Sequence, residues 1–240
     1  YIISKISKYF KKSWSKYKLK KRKNIITVAI DSPAAAGAGT QAKKIAKHYN
    51  LYYVDTGKIY RIIGLLKIQY LNQFNYNFIK KKVKKIKIKD LKKKILLSDK
   101  VAISASKIAK DKKIRNIVHK FQQECAYNPP KQYDGSVLDG RDIISVQVKD
   151  AMFKFYITAS LKIRAKRRYI EYKKLNKKVS YKEVLKNLKN RDKSDRERKH
   201  GPLIKTKDSI LINTSKLSKK ACFLKIKKII DKKLKINGNI

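Results

Sequence analysis

At 240 residues the chain is long enough to bury a full core, and one α/β domain with inserted lobes fits that length better than two independent domains. No stretch approaches the roughly 18 to 20 apolar residues that a membrane-spanning helix requires, which excludes that class. A net charge of +48 would ordinarily point to nucleic acid or an anionic membrane, yet lysine supplies all but ten of the 65 basic residues.

Lys, Ile, Asn and Tyr dominate even the plain helical stretches, as an AT-biased coding sequence would give. The charge therefore reads as solvated surface with a salt-screened attraction to RNA, and a selected polyanion surface is the weaker alternative. Cys125 and Cys222 are far apart and lack metal-ligand spacing, so they read as reduced thiols of a cytosolic protein.

Residues 1–23 hold no acidic residue and precede the first apolar run, so they read as a basic extension outside the fold. The chain begins at Tyr1 rather than methionine, as a truncated sequence would; an organellar presequence would favour arginine over lysine. Residues 25–30 form a continuous apolar run, expected to be a buried parallel strand. A small-residue loop follows over 31–39, and Thr40 is expected to open an amphipathic helix with Ile45 and Tyr49 on one face. A loop of this kind turns successive N–H groups toward a positive helix end, where phosphate binds. The pattern normally ends Gly-Lys-Ser/Thr, or Gly-Lys-Gly-Thr in nucleoside monophosphate kinases; here it reads Gly37-Ala38-Gly39-Thr40, with alanine at the lysine position. Taken alone, such a turn is equally a close-packed connection.

The next strand ends in Asp55-Thr56-Gly57 and enters a helix carrying Lys58, Tyr60 and Arg61, so a second anion site is expected beside the first. Residues 71–100 are lysine-crowded with short alternation, a small inserted lobe with little sheet. Helices are expected over 101–110 and 112–126, then a turn-rich loop at Pro129-Pro130 and Asp134-Gly135. A strand over 136–138 runs into Asp139-Gly140-Arg141-Asp142. Further along come a strand at 153–158, helices at 160–175 and 181–190, a charged segment at 191–198 stopped by Gly201-Pro202, a last strand at 210–212 and a closing helix at 218–234. Five strands alternating with helices imply a doubly wound parallel sheet with ligands outside the carboxyl ends of its strands. Apart from Arg22, the arginines fall in these segments, where a planar bidentate fork suits phosphate or a base edge.

From about 25 to 234 the chain resembles the bacterial-type cytidylate kinases, on the phrases DSPAAAGAGT, DTGKIYR, KIAKDKKIR, VLDGRD, DAMFKFYITAS with RAKRR, NRDKSDRER, GPL and INTSKLS, in the family's order. The resemblance implies a P-loop nucleoside monophosphate kinase fold: residues 24–240 as one α/β domain, with a monophosphate-binding lobe at 71–100 and a lid segment at 191–203. It implies ATP, with Mg²⁺, as donor and CMP or dCMP as acceptor, in a cytoplasmic monomer with no specific nucleic-acid or membrane partner.

By that resemblance Ala34, Ala35, Ala36, Gly37, Ala38, Gly39 and Thr40 hold the ATP phosphates. Thr56, Tyr60, Arg61, Arg141 and Arg198 hold the acceptor phosphate, and Asp139 belongs to the same CMP-binding set. Ser106, Arg115 and Asp142 read the cytosine, Arg191 and Asp195 lie near the ribose, and Arg164 and Arg167 reach the donor phosphates with the lid. The base assignment has a physical basis, since a carboxylate accepts from the amino group of cytosine and repels the carbonyl that uracil carries there. No side chain is singled out as a direct metal ligand. Several positions depart from the family: Ala38 for lysine, Ser32 for glycine, Ile144-Ser145 for Gly-Thr, and a lobe without its usual arginine-bearing phrase. Lys58 is the candidate replacement for the missing ammonium, with no replacement at all, or Lys43 and Lys44, as alternatives. The rival readings are a homologue that binds nucleotide or RNA without turnover, and a kinase for another pyrimidine monophosphate.

Overall fold

The computed structural model describes residues 21–87 and 89–236. Five parallel strands, β1 (Ile26–Asp31), β2 (Leu51–Asp55), β3 (Gly135–Gly140), β4 (Phe153–Thr158) and β5 (Ile210–Asn213), form one sheet in the order β2-β3-β1-β4-β5. Along β1 the side chains alternate between faces, so Val28 and Ile30 enter one core and Ala29 the other. The first core also takes Phe155, Ile157 and Ile212 from the neighbouring strands. It is covered by α1 (Ala38–His48) and α8 (Lys219–Ile236), whose Cys222, Ile226, Ile230 and Leu234 repeat every four residues and are all buried.

The opposite face is covered by α2 (Thr56–Gln69) and α5 (Lys112–Tyr127). Ile79 and Val83 of α3 (Tyr76–Lys84) join the same cluster as Ile59 and Ile63, so the inserted segment shares the main core. Between residues 71 and 97 the described residues form α3 and short 3₁₀ turns. From there α4 (Asp99–Ile108) packs across α2, with Gly64 against the backbone of Ala105.

Two helix bounds differ from the sequence expectation. Helix α1 starts at Ala38, because Gly37 turns the chain in at φ 96°. After α6 (Leu161–Lys174), α7 (Tyr181–Glu197) starts at a Ser180/Glu183 capping box and runs straight through the charged segment that the apolar stripe leaves open. It continues past Leu188 because Asp192, the next inward position, is buried against Arg164 of α6. The expected boundary of the basic extension at residue 23 falls in a docked segment. The Arg22 N–H donates to the Tyr127 carbonyl at 3.1 Å, its guanidinium donates to the Tyr133 carbonyl at 2.5 Å, and Lys21 pairs with Asp150. Residues 1–20 of that extension lie outside the described residues.

Candidate active site

The carboxyl ends of β1, β2 and β3 lie side by side, with Asp55 in register with Asp139 and Asp31 with Gly140, so the loops after them are neighbours at one end of the sheet. The loop after β1 is built from backbone. Ala35 sits at φ 61° and Gly37 at φ 96°; for alanine the left-handed conformation costs on the order of 1 kcal/mol, held here by the surroundings. Its carbonyls are occupied from outside: Ala36 accepts from Thr214 at 2.9 Å and from Arg167 at 3.4 Å, and Ala34 accepts from Arg164 at 3.2 Å. The N–H groups of Ala38, Gly39 and Thr40 open α1, where no intrahelical carbonyl precedes them, as an anion site requires. Ala38 itself is a buried methyl.

Arg164 and Arg167, expected to reach the donor phosphates, brace this loop through its carbonyls. Arg164 is 3 % exposed, forks onto Asp192 at 3.0 and 2.5 Å, and donates its Nε to the Ala159 carbonyl at 2.9 Å. Arg167 donates to the hydroxyl and carbonyl of Thr214 at 2.9 and 2.7 Å. Their donors are therefore turned to carbonyls and carboxylate, not to the open side of the loop.

Beside the loop stands an acid pair. Asp139 lies against Gly39, where an added Cβ would come within 3.1 Å of Oδ2, and accepts from the Tyr53 hydroxyl at 3.2 Å. Burial first, and then the Asp55 charge, push its carboxyl well above the usual range. Asp139, expected in the CMP-binding set, thus lies beside the first loop. Asp55 caps α2 through the Lys58 N–H at 3.2 Å, and the Lys58 ammonium lies 3.9 Å from its Oδ2. Of the two alternatives on α1, Lys43 is close enough for its charge to act on Asp139, whereas Lys44 donates to the Lys219 carbonyl at 3.3 Å and lies over the Phe223 ring.

The residues that the resemblance gives to the acceptor are paired side chains. Arg115 and Asp142 form a buried ion pair; breaking such a pair from one side typically costs about 3–5 kcal/mol. The Arg115 guanidinium lies 5.8 Å from the Tyr60 ring centre, and the Tyr60 hydroxyl is buried without a hydrogen-bond partner, its pKa raised to about 12 by burial. From α7, Asp195 accepts from Arg141 Nε at 2.9 Å and lies 3.8 Å from Arg191 and 3.7 Å from Arg198. One carboxylate thus gathers three arginines where the resemblance implies a monophosphate. Gly201, at φ 61°, lies over the Arg115–Asp142 pair so closely that a Cβ would fall 2.3 Å from both partners. Its carbonyl accepts from Arg198 Nε at 2.6 Å, seating the segment after α7 on the pair.

Other expected contacts are spread out. Thr56 turns its hydroxyl to the Asp139 carbonyl at 2.7 Å, and Arg61 donates to the Leu96 carbonyl of the inserted lobe at 2.6 Å. Ser106 is exposed on α4, three residues before Ala109, whose carbonyl accepts from Arg115 at 3.2 Å.

Two residues at the site escape the sequence reading. Asp31 is fully buried and accepts from the N–H groups of Ile143 and Ile144 at 2.8 and 2.9 Å, which clamps the first loop to the π-helical turn Ile143–Gln147. Burial pushes its carboxyl up to about 7, against the pull of those two bonds. An acid closing an apolar strand is a signal for such a clamp. Gln147 donates to Asp142 Oδ2 at 2.9 Å, and only its spacing of five from Asp142 could have hinted at that.

A five-stranded parallel α/β sheet with a small-residue loop after its central strand, a second loop at Asp-Thr-Gly and an arginine-rich end of α7 define the fold of a P-loop nucleoside monophosphate kinase. One solved structure, an uncharacterized protein from Eubacterium ventriosum, shares the fold with a TM-score of 0.50 and 20 % identity, over 86 % of this chain and 98 % of that one. The family model for cytidylate kinase matches residues 28–232. Proteins called cytidylate kinase are 38 % identical in Bartonella bacilliformis (88 % of this chain, 97 % of that protein) and 39 % in Bartonella tribocorum (88 % and 96 %). Another in Thermosipho melanesiensis is 38 % identical, over 87 % of this chain and 98 % of its own length. The chain belongs to the cytidylate kinase family.

Proposed function

We propose that the protein transfers the terminal phosphoryl group of ATP to CMP, and to dCMP, giving the diphosphate and ADP. The observation that carries this reading is the buried Arg115–Asp142 pair, a fixed carboxylate at the acceptor side that suits an exocyclic amino group and repels a carbonyl. Membership of the cytidylate kinase family supports it.

Phosphoryl transfer asks little covalent help of the protein; it asks that two phosphates be aligned and neutralised with water excluded. In this reading Arg141 and Arg198 exchange the Asp195 carboxylate for the acceptor phosphate, assisted by Thr56, Tyr60 and Arg61. Asp195 and Arg191 then turn to the ribose, and Ser106 joins Arg115 and Asp142 at the base as the lobe moves in. An acceptor phosphate oxygen attacks the γ-phosphorus, and the bond from that phosphorus to the β-phosphate oxygen breaks. The amides from Ala34 to Thr40 hold the donor phosphates. Arg164 and Arg167 keep the loop in shape from behind.

The acids Asp55 and Asp139, adjacent and undercompensated, fit a hydrated divalent cation beside Gly39, and with Thr40 they would hold Mg²⁺, which supplies charge neutralisation at the donor phosphates. Lys58, held at the same acid pair, replaces the absent loop lysine by swinging toward the β- and γ-phosphates, and Lys43 is the second candidate. No helix among the described residues is long and apolar enough to cross a membrane. The reading takes the protein to act as a monomer in the cytosol.

A coupled assay with ATP and CMP, dCMP, UMP or AMP tests the proposal. CMP and dCMP should be turned over at least roughly tenfold more efficiently than UMP or AMP, the size of one good polar base contact. CMP binding without turnover, or equal use of UMP, would overturn it.

A further inference from the structure

Asp142 is held unevenly. Its Oδ2 takes both Arg115 and the Gln147 amide, the latter at 2.9 Å. Its Oδ1 has Arg198 Nη2 at 3.5 Å, a nitrogen that is buried without a hydrogen-bond partner. One carboxylate oxygen is therefore saturated from within the fold and the other is left open toward the lid.

Gln147 is 2 % exposed, and its own Oε1 has no partner. The amide cannot turn over, because Oε1 would then face the carboxylate as a second acceptor. A buried amide with an orphaned carbonyl is a net burden on folding, and an apolar side chain would pack there more cheaply. Its backbone is also fixed: the Gln147 carbonyl accepts from Gln123 at 3.3 Å and is hydrogen-bonded by His119, whose pKa burial lowers. Every constraint on Gln147 points its amide N–H at one atom, Asp142 Oδ2.

We propose that Gln147 is a positioning residue for base selection: by tying Asp142 Oδ2 it holds the carboxylate plane so that Oδ1 is presented as the acceptor for the exocyclic amino group of the incoming base. The inference rests on the reading of Asp142 as the base-selecting group. Arg115 alone leaves the carboxylate free to rotate about its one tie, so that Oδ1 can collapse onto Arg198 and lose its contrast between an amino donor and a carbonyl. Two donors on one oxygen remove that freedom.

The test compares Gln147→Met, which keeps the volume and removes the amide, and Gln147→Val as a second apolar variant, with Asp142→Ala. Each is assayed with CMP and UMP alongside a thermal melt. The expected result is a roughly five- to tenfold fall in the CMP/UMP ratio of kcat/KM for the Gln147 variants, the scale of one ordinary hydrogen bond. The fall should be carried by KM for CMP with kcat nearly kept, and with a melting temperature equal to or above that of the parent. Equal losses for CMP and UMP with a lowered melting temperature would mean a purely structural role and overturn the inference. An unchanged ratio in both Gln147 variants beside a lowered one in Asp142→Ala would overturn it too, while leaving the reading of Asp142 intact. An unchanged ratio in Asp142→Ala would remove the reading itself.

Discussion

The two halves of the proposed site are charged by different means. On the acceptor side four guanidinium groups already have a carboxylate: Arg115 has Asp142, and Arg141, Arg191 and Arg198 share Asp195, while Arg61 donates to the Leu96 carbonyl. On the donor side the loop presents backbone and methyl groups, its flanking arginines are spent on its carbonyls, and the acids Asp55 and Asp139 stand next to it, the first paired with Lys58 and the second bonded by the Tyr53 hydroxyl. The acceptor half is thus positive, four guanidinium groups to two carboxylates, before a phosphate arrives, whereas the donor half presents two acids with Lys58 as the ammonium paired to one of them. A loop that has lost its lysine need not lose its function if an adjacent strand end supplies the cation.

The largest effect should come from the acceptor half. Arg141→Ala removes the fork that the acceptor phosphate would take over from Asp195 and leaves that carboxylate less compensated. A loss of roughly 10²–10³-fold in kcat/KM for CMP is expected in steady-state assays, the scale of truncating one side of a charge pair. Arg141→Lys should recover only part of it, because an ammonium lacks the bidentate geometry. A loss below tenfold in Arg141→Ala would break the contrast between the halves.

Next comes the joint between them, Asp31. Its carboxyl lies at about 7 in the folded protein against an ordinary 3.8, so between those values the folded state holds a proton that the unfolded chain has released. The contribution is therefore present below pH 3.8 and is lost as pH rises toward 7. It amounts to as much as about 4 kcal/mol for a shift of that size. Urea melts of the parent and of Asp31→Asn should show a stability difference that moves against the parent from pH 4 to 7 and is flat above. A difference independent of pH would mean that Asp31 stays ionised in the fold.

A smaller effect belongs to the base contact. Asp142→Ala should lower the preference for CMP over UMP by roughly ten- to hundredfold, or ~1–3 kcal/mol, mainly through loss of CMP. It sharpens the comparison by showing that the acceptor half selects as well as binds.

The strands and both phosphate loops were legible because apolar runs, alternation and the Asp-Thr-Gly and Asp-Gly-Arg-Asp phrases are local signals. What the sequence hides is pairing across distance. Helix α7 outlasts its apolar stripe because Asp192 meets Arg164, 28 residues earlier. Arg164 and Arg167 carry the right chemistry for phosphate, but only the fold reveals the carbonyls that consume it. Asp139 stands three residues from Asp142 and yet lies beside the first loop. The clamp at Asp31 likewise joins segments 112 residues apart.

The most direct test of a donor half charged from its neighbour is to move the ammonium. Lys58→Ala, Lys44→Ala and the double change Lys58→Ala with Ala38→Lys should be measured under saturating CMP and ATP. If Lys58 supplies the cation, Lys58→Ala loses kcat by roughly two orders of magnitude or more, as removal of one transition-state donor does. Lys44→Ala changes little, since its ammonium is bonded to Lys219. The double change then restores turnover. Near-full kcat in Lys58→Ala would contradict the account.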